Sequence, residues 1–403
     1  YICQPKINLR MRKIFLIVIT FAFCLQTNAQ SSGDNIDAPL KLNTITTSVP
    51  FLIIGPDSRS GGMGDVGVAS TPDANSMHWN PAKYAFVEDD MGFAINYVPW
   101  LRSLVPDISL SYLSGYIKRN DNETIGFSLR YFSLGDITFT DINSNVIGQY
   151  KPNEVAISGA YARKLSEHYS IAISARYIYS DLTGGQTLQG GLGTHAGQSI
   201  AADISSYFQK EVRIAKKDFD WAMGLNISNL GNKISYTETA VRDFIPINMR
   251  FGTSIGTNFD DYNRMSIEFD VNKLLVPTPP SYNDNGDING GMDPDVSVVN
   301  GVFQSFWDAP GGTKEEFREL NYSAGLEYWY AEQFAVRAGY FYEHPTKGDR
   351  QYFTMGAGVK YNVFALDFSY LIDASSSING SNPLANTLRF TLIFDFGALE
   401  AKS

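Results

Sequence analysis

The sequence predicts an all-β protein: a fourteen-stranded antiparallel transmembrane β-barrel with an N-terminal plug, or hatch, in its lumen. Three observations predict it. Aromatic side chains make up 13% of the 403 residues and charged ones only 18%, against roughly 25% charged in typical soluble chains. Beyond residue 84, segments of about ten residues alternate apolar and polar side chains with period two, the pattern of a half-buried strand. The connections between these segments alternate short and long, as turns and loops on the two sides of an outer-membrane barrel do.

The N-terminal region separates first. Residues 14–25 form the most apolar stretch, interrupted only by Thr20, and no later segment approaches the roughly 18 apolar residues a membrane helix requires. Helical membrane spans are therefore excluded. The stretch follows Met11-Arg12-Lys13 and precedes Thr27-Asn28-Ala29-Gln30, giving a basic start, an apolar centre and a small-residue cleavage site. Residues 11–29 read as a signal peptide cut after Ala29, and residues 1–10 as an upstream translation artefact. Phe23 is too bulky to precede a lipid-modified Cys24. Both cysteines, Cys3 and Cys24, fall before the cut, so a hydrogen-bonded ladder, not disulfides, has to hold the exported chain. Lys6, Arg10, Arg12 and Lys13 also precede it, with no acid, so the exported chain keeps 28 of the 32 bases against all 42 acids. That balance excludes nucleic acid as a partner, because its binding draws on basic patches.

Residues 30–84 are assigned to the plug and 85–403 to the barrel. Strands are expected at 91–98, 108–118, 124–132, 154–164, 169–180, 200–209, 219–229, 246–258, 264–274, 321–330, 334–343, 352–361, 364–372 and 387–396. Their presumptive outer faces are large and apolar, as in Ile125, Phe127, Leu129 and Tyr131 or Met265, Ile267, Phe269 and Val271. The intervening faces are small, polar or charged, as in Gly126, Ser128 and Arg130, or Ser266, Glu268 and Asp270. Apolar outside and polar inside is the membrane arrangement, since lipid cannot satisfy an open sheet edge and closure removes the edges. Short connections at 119–123, 165–168, 259–263, 331–333 and 362–363 alternate with long ones at 133–153, 181–199, 230–245, 276–320 and 373–386. This alternation places the long loops outside the cell and both termini in the periplasm. Connections 210–218 and 99–107 fit less cleanly. A lumen of this size needs filling. Gly61, Gly62, Gly64 and Gly67 would let the plug backbone approach the wall, and inward Arg130, Arg176, Arg250, Glu268, Glu327, Arg337 and Asp367 would pair with it.

Several motifs have plainer readings. Gly62-Met63-Gly64-Asp65-Val66-Gly67 matches a dinucleotide fingerprint, but Val68-Ala69-Ser70-Thr71-Pro72 opens no helix after it, so close plug packing is favoured. Gly252-Thr253-Ser254-Ile255-Gly256 matches a nucleophile elbow, yet it sits mid-strand and His78, His168, His195 and His344 are scattered. No catalytic residue, cofactor or metal is assigned, and an enzyme is not expected. Asn285, Asp287, Asn289 and Gly290 open like a calcium loop, but position twelve is Val296 where a bidentate Glu belongs. A polar turn is favoured there. The same loop, 276–320, carries Val302, Phe303, Phe306 and Trp307 in a polar stretch, which suggests either a protein contact or a fold back over the barrel mouth.

The run Gly61-Gly62-Met63-Gly64-Asp65-Val66-Gly67-Val68-Ala69, followed by Thr71-Pro72-Asp73-Ala74-Asn75-Ser76-Met77-His78-Trp79-Asn80-Pro81-Ala82, resembles the N-terminal region of the PorV (LptO) family of the type IX secretion system. Its Asn80-Pro81-Ala82 end also resembles the hatch of FadL-type channels, a wider superfamily of fourteen-stranded outer-membrane barrels. The resemblance implies a plug motif carried by Gly61, Gly62, Gly64, Gly67, Asp73, Asn75, Asn80 and Pro81. It further implies a non-enzymatic Gram-negative outer-membrane protein, surrounded by outer-membrane lipid. Such a protein would associate with the giant translocon barrel, receive C-terminal signal domains of exported cargo, and deliver them to a PorU-type sortase attachment complex. The alternative is FadL-like uptake of hydrophobic compounds. A third reading, lipid A deacylation through Ser254, has little chemical support in the residues.

Overall fold

The computed structural model describes residues 42–101, 105, 107–140, 146–185, 193–237, 242–374 and 386–397. The expected translation artefact, signal peptide and first plug residues, 1–41, lie outside them. Fourteen strands close into one antiparallel barrel: β1 (Met91–Pro99), β2 (Ser109–Asn120), β3 (Glu123–Ser133), β4 (Asn153–Ser166), β5 (Tyr169–Asp181), β6 (Gly197–Ile214), β7 (Lys217–Gly231), β8 (Asn248–Asn258), β9 (Asn263–Leu274), β10 (Asn321–Tyr330), β11 (Phe334–Tyr342), β12 (Gln351–Tyr361), β13 (Phe364–Asp373) and β14 (Leu388–Asp395). Each pairs with its sequence neighbours, and β1 closes on β14 from Gly92 opposite Asp395 to Tyr97 opposite Phe390. Closure leaves no edge along the wall, so every strand's backbone groups can be satisfied in lipid.

The alternation seen in sequence is the alternation of the two faces. On β3, Ile125, Phe127, Leu129 and Tyr131 are exposed outward while Gly126, Ser128 and Arg130 are buried inward. On β9, Ile267 and Phe269 point out, and Ser266, Glu268 and Asp270 point in. Aromatic side chains gather on the outer wall near the short turns, among them Tyr262, Tyr330, Phe334, Tyr361 and Phe364, at the level where amphipathic rings meet a membrane interface.

One connection is shorter than the sequence suggests. Residues 210–218 are not a loop: β6 runs to Ile214 and β7 starts at Lys217, leaving Ala215-Lys216 as the turn. Both turn residues have positive φ, 52° and 67°, as a two-residue hairpin matched to strand twist requires. The sequence pattern hides these strand ends because Lys210 and Lys217 break the apolar run of the outward positions while Glu211 and Arg213 charge the inward ones. On the long side, two short hairpins stand apart from the barrel, Ile137–Thr140 with Val146–Tyr150 and Ser281–Tyr282 with Ile288–Gly290. The long connection 275–320 also carries two helices, Val298–Gln304 and Thr313–Arg318.

The barrel is filled from within. Val49, Phe51 and Leu52 pack with Leu110, Phe132, Ile178 and Ile245 at the end where the long connections lie, and Met77, Tyr84 and Val87 pack with Tyr116, Ala172 and Tyr207 at the short-turn end. The expected N-terminus, and with it the expectation that both termini share the short-turn side, lies outside the described residues, but the described segment begins at the long-side mouth. The Asn43 amide donates to Thr346 O and the Ser48 amide to Phe244 O, both in long-side connections, whereas the Phe396 amide donates to Met91 O at the short-turn side. The segment therefore traverses the lumen from one mouth to the other before entering β1.

Candidate functional site

Two assemblies of side chains stand out: the lumenal segment 49–87 and the long loop 275–320. The lumenal segment has little regular structure, so its backbone groups find partners on the wall. Asp57 caps the single turn Ser58–Gly61, its Oδ2 accepting from the Ser60 amide at 2.8 Å while Oδ1 accepts from Trp79 Nε1 at 2.6 Å. The Ser58 amide donates to Thr391 Oγ1, the Gly64 amide to Thr354 Oγ1, and the Gly67 and Val68 amides share Asp270 Oδ2. Asn80-Pro81-Ala82 reads as a helix start. Asn80 Oδ1 accepts from the Ala82 amide and Pro81 occupies the first turn of the 3-10 helix Pro81–Phe86, where a missing N–H costs nothing. Asn80 Nδ2 also donates to Val68 O and to Ser206 O on β6, both at 2.9 Å. One side chain thus ties the turn to both the segment and the wall.

The other motif residues have equally specific neighbours. Asn75 Oδ1 accepts from Asn96 Nδ2 at 2.7 Å and Ser114 Oγ at 2.9 Å. Asp73 pairs with Arg59 at 3.0 Å and its Oδ1 accepts from the Asn75 amide. A Cβ on Gly61 would meet Arg389, on Gly62 the Cα of Gly356, and on Gly67 the ring of Trp79. Gly64, at φ +73°, lies against the Tyr340 backbone.

Of the inward charges expected to pair with the segment, three do so directly. Arg130 Nη1 donates to the Phe51, Leu52 and Ile54 carbonyls at 2.7, 2.9 and 3.1 Å, covering the orphaned end of the 3-10 helix Pro50–Ile53. Arg250 reaches His78 O and stacks over Trp79. Glu327 holds Arg59 at 2.8 Å and Arg337 at 2.7 Å, and Arg337 holds Asp367 at 2.5 Å, so Arg337 and Asp367 complete a buried chain whose contact with the segment is Glu327. Arg176 departs from expectation: it pairs across the wall with Asp203 at 2.8 Å and with Asn229. Glu268 Oε2 is buried without a hydrogen-bond partner among the described residues. Sequence reading misses Arg59, Lys83 and the Asp65 contacts to Arg389 and Tyr352. Arg59–Glu327 and the Asp65 pairs join residues more than 260 apart, and Arg59–Asp73 and Lys83–Ser70 join irregular backbone with no periodic spacing to announce them.

The long loop folds back over the barrel mouth through part of its length and presents other apolar side chains to solvent. Val296, Val298 and Val302 pack on the long-side core, and Gly301 is buried against the Phe244 ring. Val299 and Phe303, on the other face of the same helix, are 65% and 62% exposed, with Trp307 at 61% and Phe306 at 42% beyond its end. Val299 lies one turn before Phe303, a helical spacing that could have been read in sequence. Phe317, on the second helix, is exposed too.

The second helix of the loop is held by buried ion pairs. Lys273 reaches Glu316 at 3.1 Å and Glu319 at 2.7 Å, and Lys347 reaches Glu315 at 2.7 Å and Glu319 at 3.0 Å. In the 281–290 hairpin, Asn283 Oδ1 accepts from the Asn285 and Asp287 amides, a side-chain-closed polar turn. Ser254 sits mid-strand on β8 opposite Glu268 and Ala222, and His78 is held between Arg130 and Arg250. A nucleophile needs a free base within reach, and His78 is not one.

A model of "Type IX secretion system protein PorV" matches residues 38–281, more than half of the sequence. The chain belongs to the PorV family. As a member, it is an outer-membrane component of type IX secretion. No curated protein matches the chain. Among solved structures, the TodX deltaS2S3 mutant monoaromatic hydrocarbon channel aligns at TM-score 0.50 and 10% identity, over 85% of this chain and 99% of its own. The toluene transporter TbuX of Ralstonia pickettii aligns at 0.46 and 11%, over 85% and 97%. A FadL homologue of Pseudomonas aeruginosa aligns at 0.39 and 10%, over 88% and 100%. At 10% identity the likeness to the TodX channel is one of fold alone.

Proposed function

We propose that this PorV-family barrel is a secretion shuttle. It sits with its long loops outside the cell and its short turns in the periplasm. It associates with the translocon barrel, takes the C-terminal signal domains of exported cargo on its long loop, and delivers them to the sortase attachment complex without itself catalysing a reaction. The observation that carries this reading is the row of Val299, Phe303, Phe306 and Trp307, exposed on a loop anchored by buried ion pairs. Large apolar side chains on a preorganised surface are the usual anchors of protein interfaces.

Uptake of hydrophobic compounds finds less support. That reading expects an apolar pocket between plug and wall, whereas the cavity of about 620 Å³ at the short-turn mouth mixes Phe86, Tyr207, Trp221 and Trp329 with the charges of Arg59, Asp73, Arg264 and Lys360. The test is a triple substitution, Phe303→Ser, Phe306→Ser and Trp307→Ser. It is preferable to a deletion, because Gly301, Gln304, Ser305 and Asp308 between and beside them are buried. The inserted barrel should keep its folded mobility on gels yet no longer co-purify with cargo signal domains. Undiminished cargo recovery would remove the loop from the contact.

A further inference from the structure

We propose that the lumenal segment is threaded through the barrel from the cell-surface face, so that the strap at residues 42–48 belongs to the same exposed surface as the long loop. The inference rests on the outward orientation proposed for the long loops. Four hydrogen bonds at the long-side mouth carry it, and they reach three different connections. The Asn43 amide donates to Thr346 O at 3.0 Å, and the Ser48 amide to Phe244 O at 3.0 Å. Asn43 Nδ2 reaches both Pro279 O at 3.2 Å and Glu315 Oε1 at 2.9 Å. The other end of the segment is fixed at the opposite mouth. Ser170 Oγ, beside the turn between β4 and β5, donates to Ala82 O at 2.7 Å, and the Lys118 amide at the end of β2 donates to Asp90 O at 2.7 Å.

A chain anchored at both mouths cannot swing out of the lumen as a hinged lid. It also joins the partner-facing loop to the interior, because Glu315, which accepts from Asn43, is paired with Lys347 as well. Leu42, the first described residue, is 69% exposed, whereas Val49 is fully buried seven positions on. The strap is therefore where the segment leaves water and enters the protein.

Residues 30–403 contain no cysteine, so single thiols report position cleanly with a membrane-impermeant maleimide on intact cells. Three exposed positions suffice: Leu42→Cys in the strap, Asp284→Cys in the hairpin of the long loop, and Lys216→Cys in the β6–β7 turn, with the parent chain as blank. The Leu42→Cys and Asp284→Cys variants should both react on intact cells, and the Lys216→Cys variant only after the outer membrane is permeabilised. If Asp284→Cys reacts on intact cells while Leu42→Cys reacts only after permeabilisation, or in neither condition, the threading is wrong. If Lys216→Cys reacts on intact cells and Asp284→Cys does not, the orientation fails instead. Threading then survives when Leu42→Cys follows Asp284→Cys, and is overturned when it follows Lys216→Cys.

Discussion

Gly64→Ala tests whether the lumenal segment is packed against the wall at backbone distance. Gly64 has φ +73°, and a Cβ there would sit 2.7 Å from both the N and the O of Tyr340, where ordinary contact begins at 3.4 Å. Tyr340 cannot yield the missing 0.7 Å cheaply, because it is paired with Ala324 on β10 and with Phe353 on β12. Two costs add. A left-handed conformation costs an L residue roughly 1–2 kcal/mol, and overpacking typically costs about 1–3 kcal/mol, so the variant should lose about 2–5 kcal/mol. Gly325→Ala on the wall isolates the second cost: its Cβ would lie 2.6 Å from Met63 O and 2.7 Å from Met63 Cβ, and a loss of about 1–3 kcal/mol is expected. Gly159→Ala is the control, with nothing within 4 Å of the added Cβ. The assay is the folding free energy in micelles from urea titration, followed by the gel shift between folded and unfolded barrel. If Gly64→Ala unfolds within about 0.5 kcal/mol of Gly159→Ala, as uncoupled surface changes do, the segment is not in backbone contact with the wall and the packing argument fails.

Other perturbations probe the charges. Glu327→Gln leaves Arg59 and Arg337 buried with one fewer carboxylate, since both guanidiniums share it at 2.8 and 2.7 Å. A loss of about 3–5 kcal/mol is expected, as for broken buried pairs, and a gel-shift midpoint equal to wild type would contradict it. Asp308 on the long loop is pushed up to about 6 by burial, with the Glu316 and Glu319 carboxylates adding to the rise. Its proton is therefore held more tightly in the folded loop. The stabilisation is complete below the ordinary value of 3.8 and is lost as pH rises through about 6. Glu315 does not share that rise: burial works against its charge, but hydrogen bonds from Lys347 and Asn43 hold its carboxyl below the usual range. Proteolysis of the 276–320 loop should accelerate between about pH 4 and pH 6 in wild type and much less in Asp308→Asn, so an identical pH profile in the two proteins would refute the assignment.

The strands are legible because each is decided by its own residues. Lipid on one side and a packed lumen on the other impose a contrast that repeats every second position, and Ile125 to Tyr131 show it without reference to any neighbour. Where that contrast stops, so does legibility. The Lys210 to Asp218 stretch, beyond the apolar band, reads as a loop although it is a hairpin, and the helix Val298–Gln304 reads as a set of apolar residues without its turn.

The site is legible in part for the same reason. Asn80-Pro81 announces a helix start because capping is a local act between residues two apart. Glycines 61 to 67 announce close approach, but not what they approach, because Gly64 against Tyr340 joins residues far apart in the chain.

By itself, then, the amino-acid order determined a closed antiparallel barrel, its strand number, the inward and outward faces, a plug-like glycine motif and an apolar cluster in the longest connection. Only the tertiary structure decided that Arg176 pairs with Asp203 instead of the segment, that Val302 turns inward while Phe303 and Trp307 remain exposed, and that residue 42 and residue 397 lie at opposite mouths. Face alternation costs or gains free energy residue by residue, whereas ion pairing and the direction of threading depend on which distant groups closure brings within about 3–4 Å of one another.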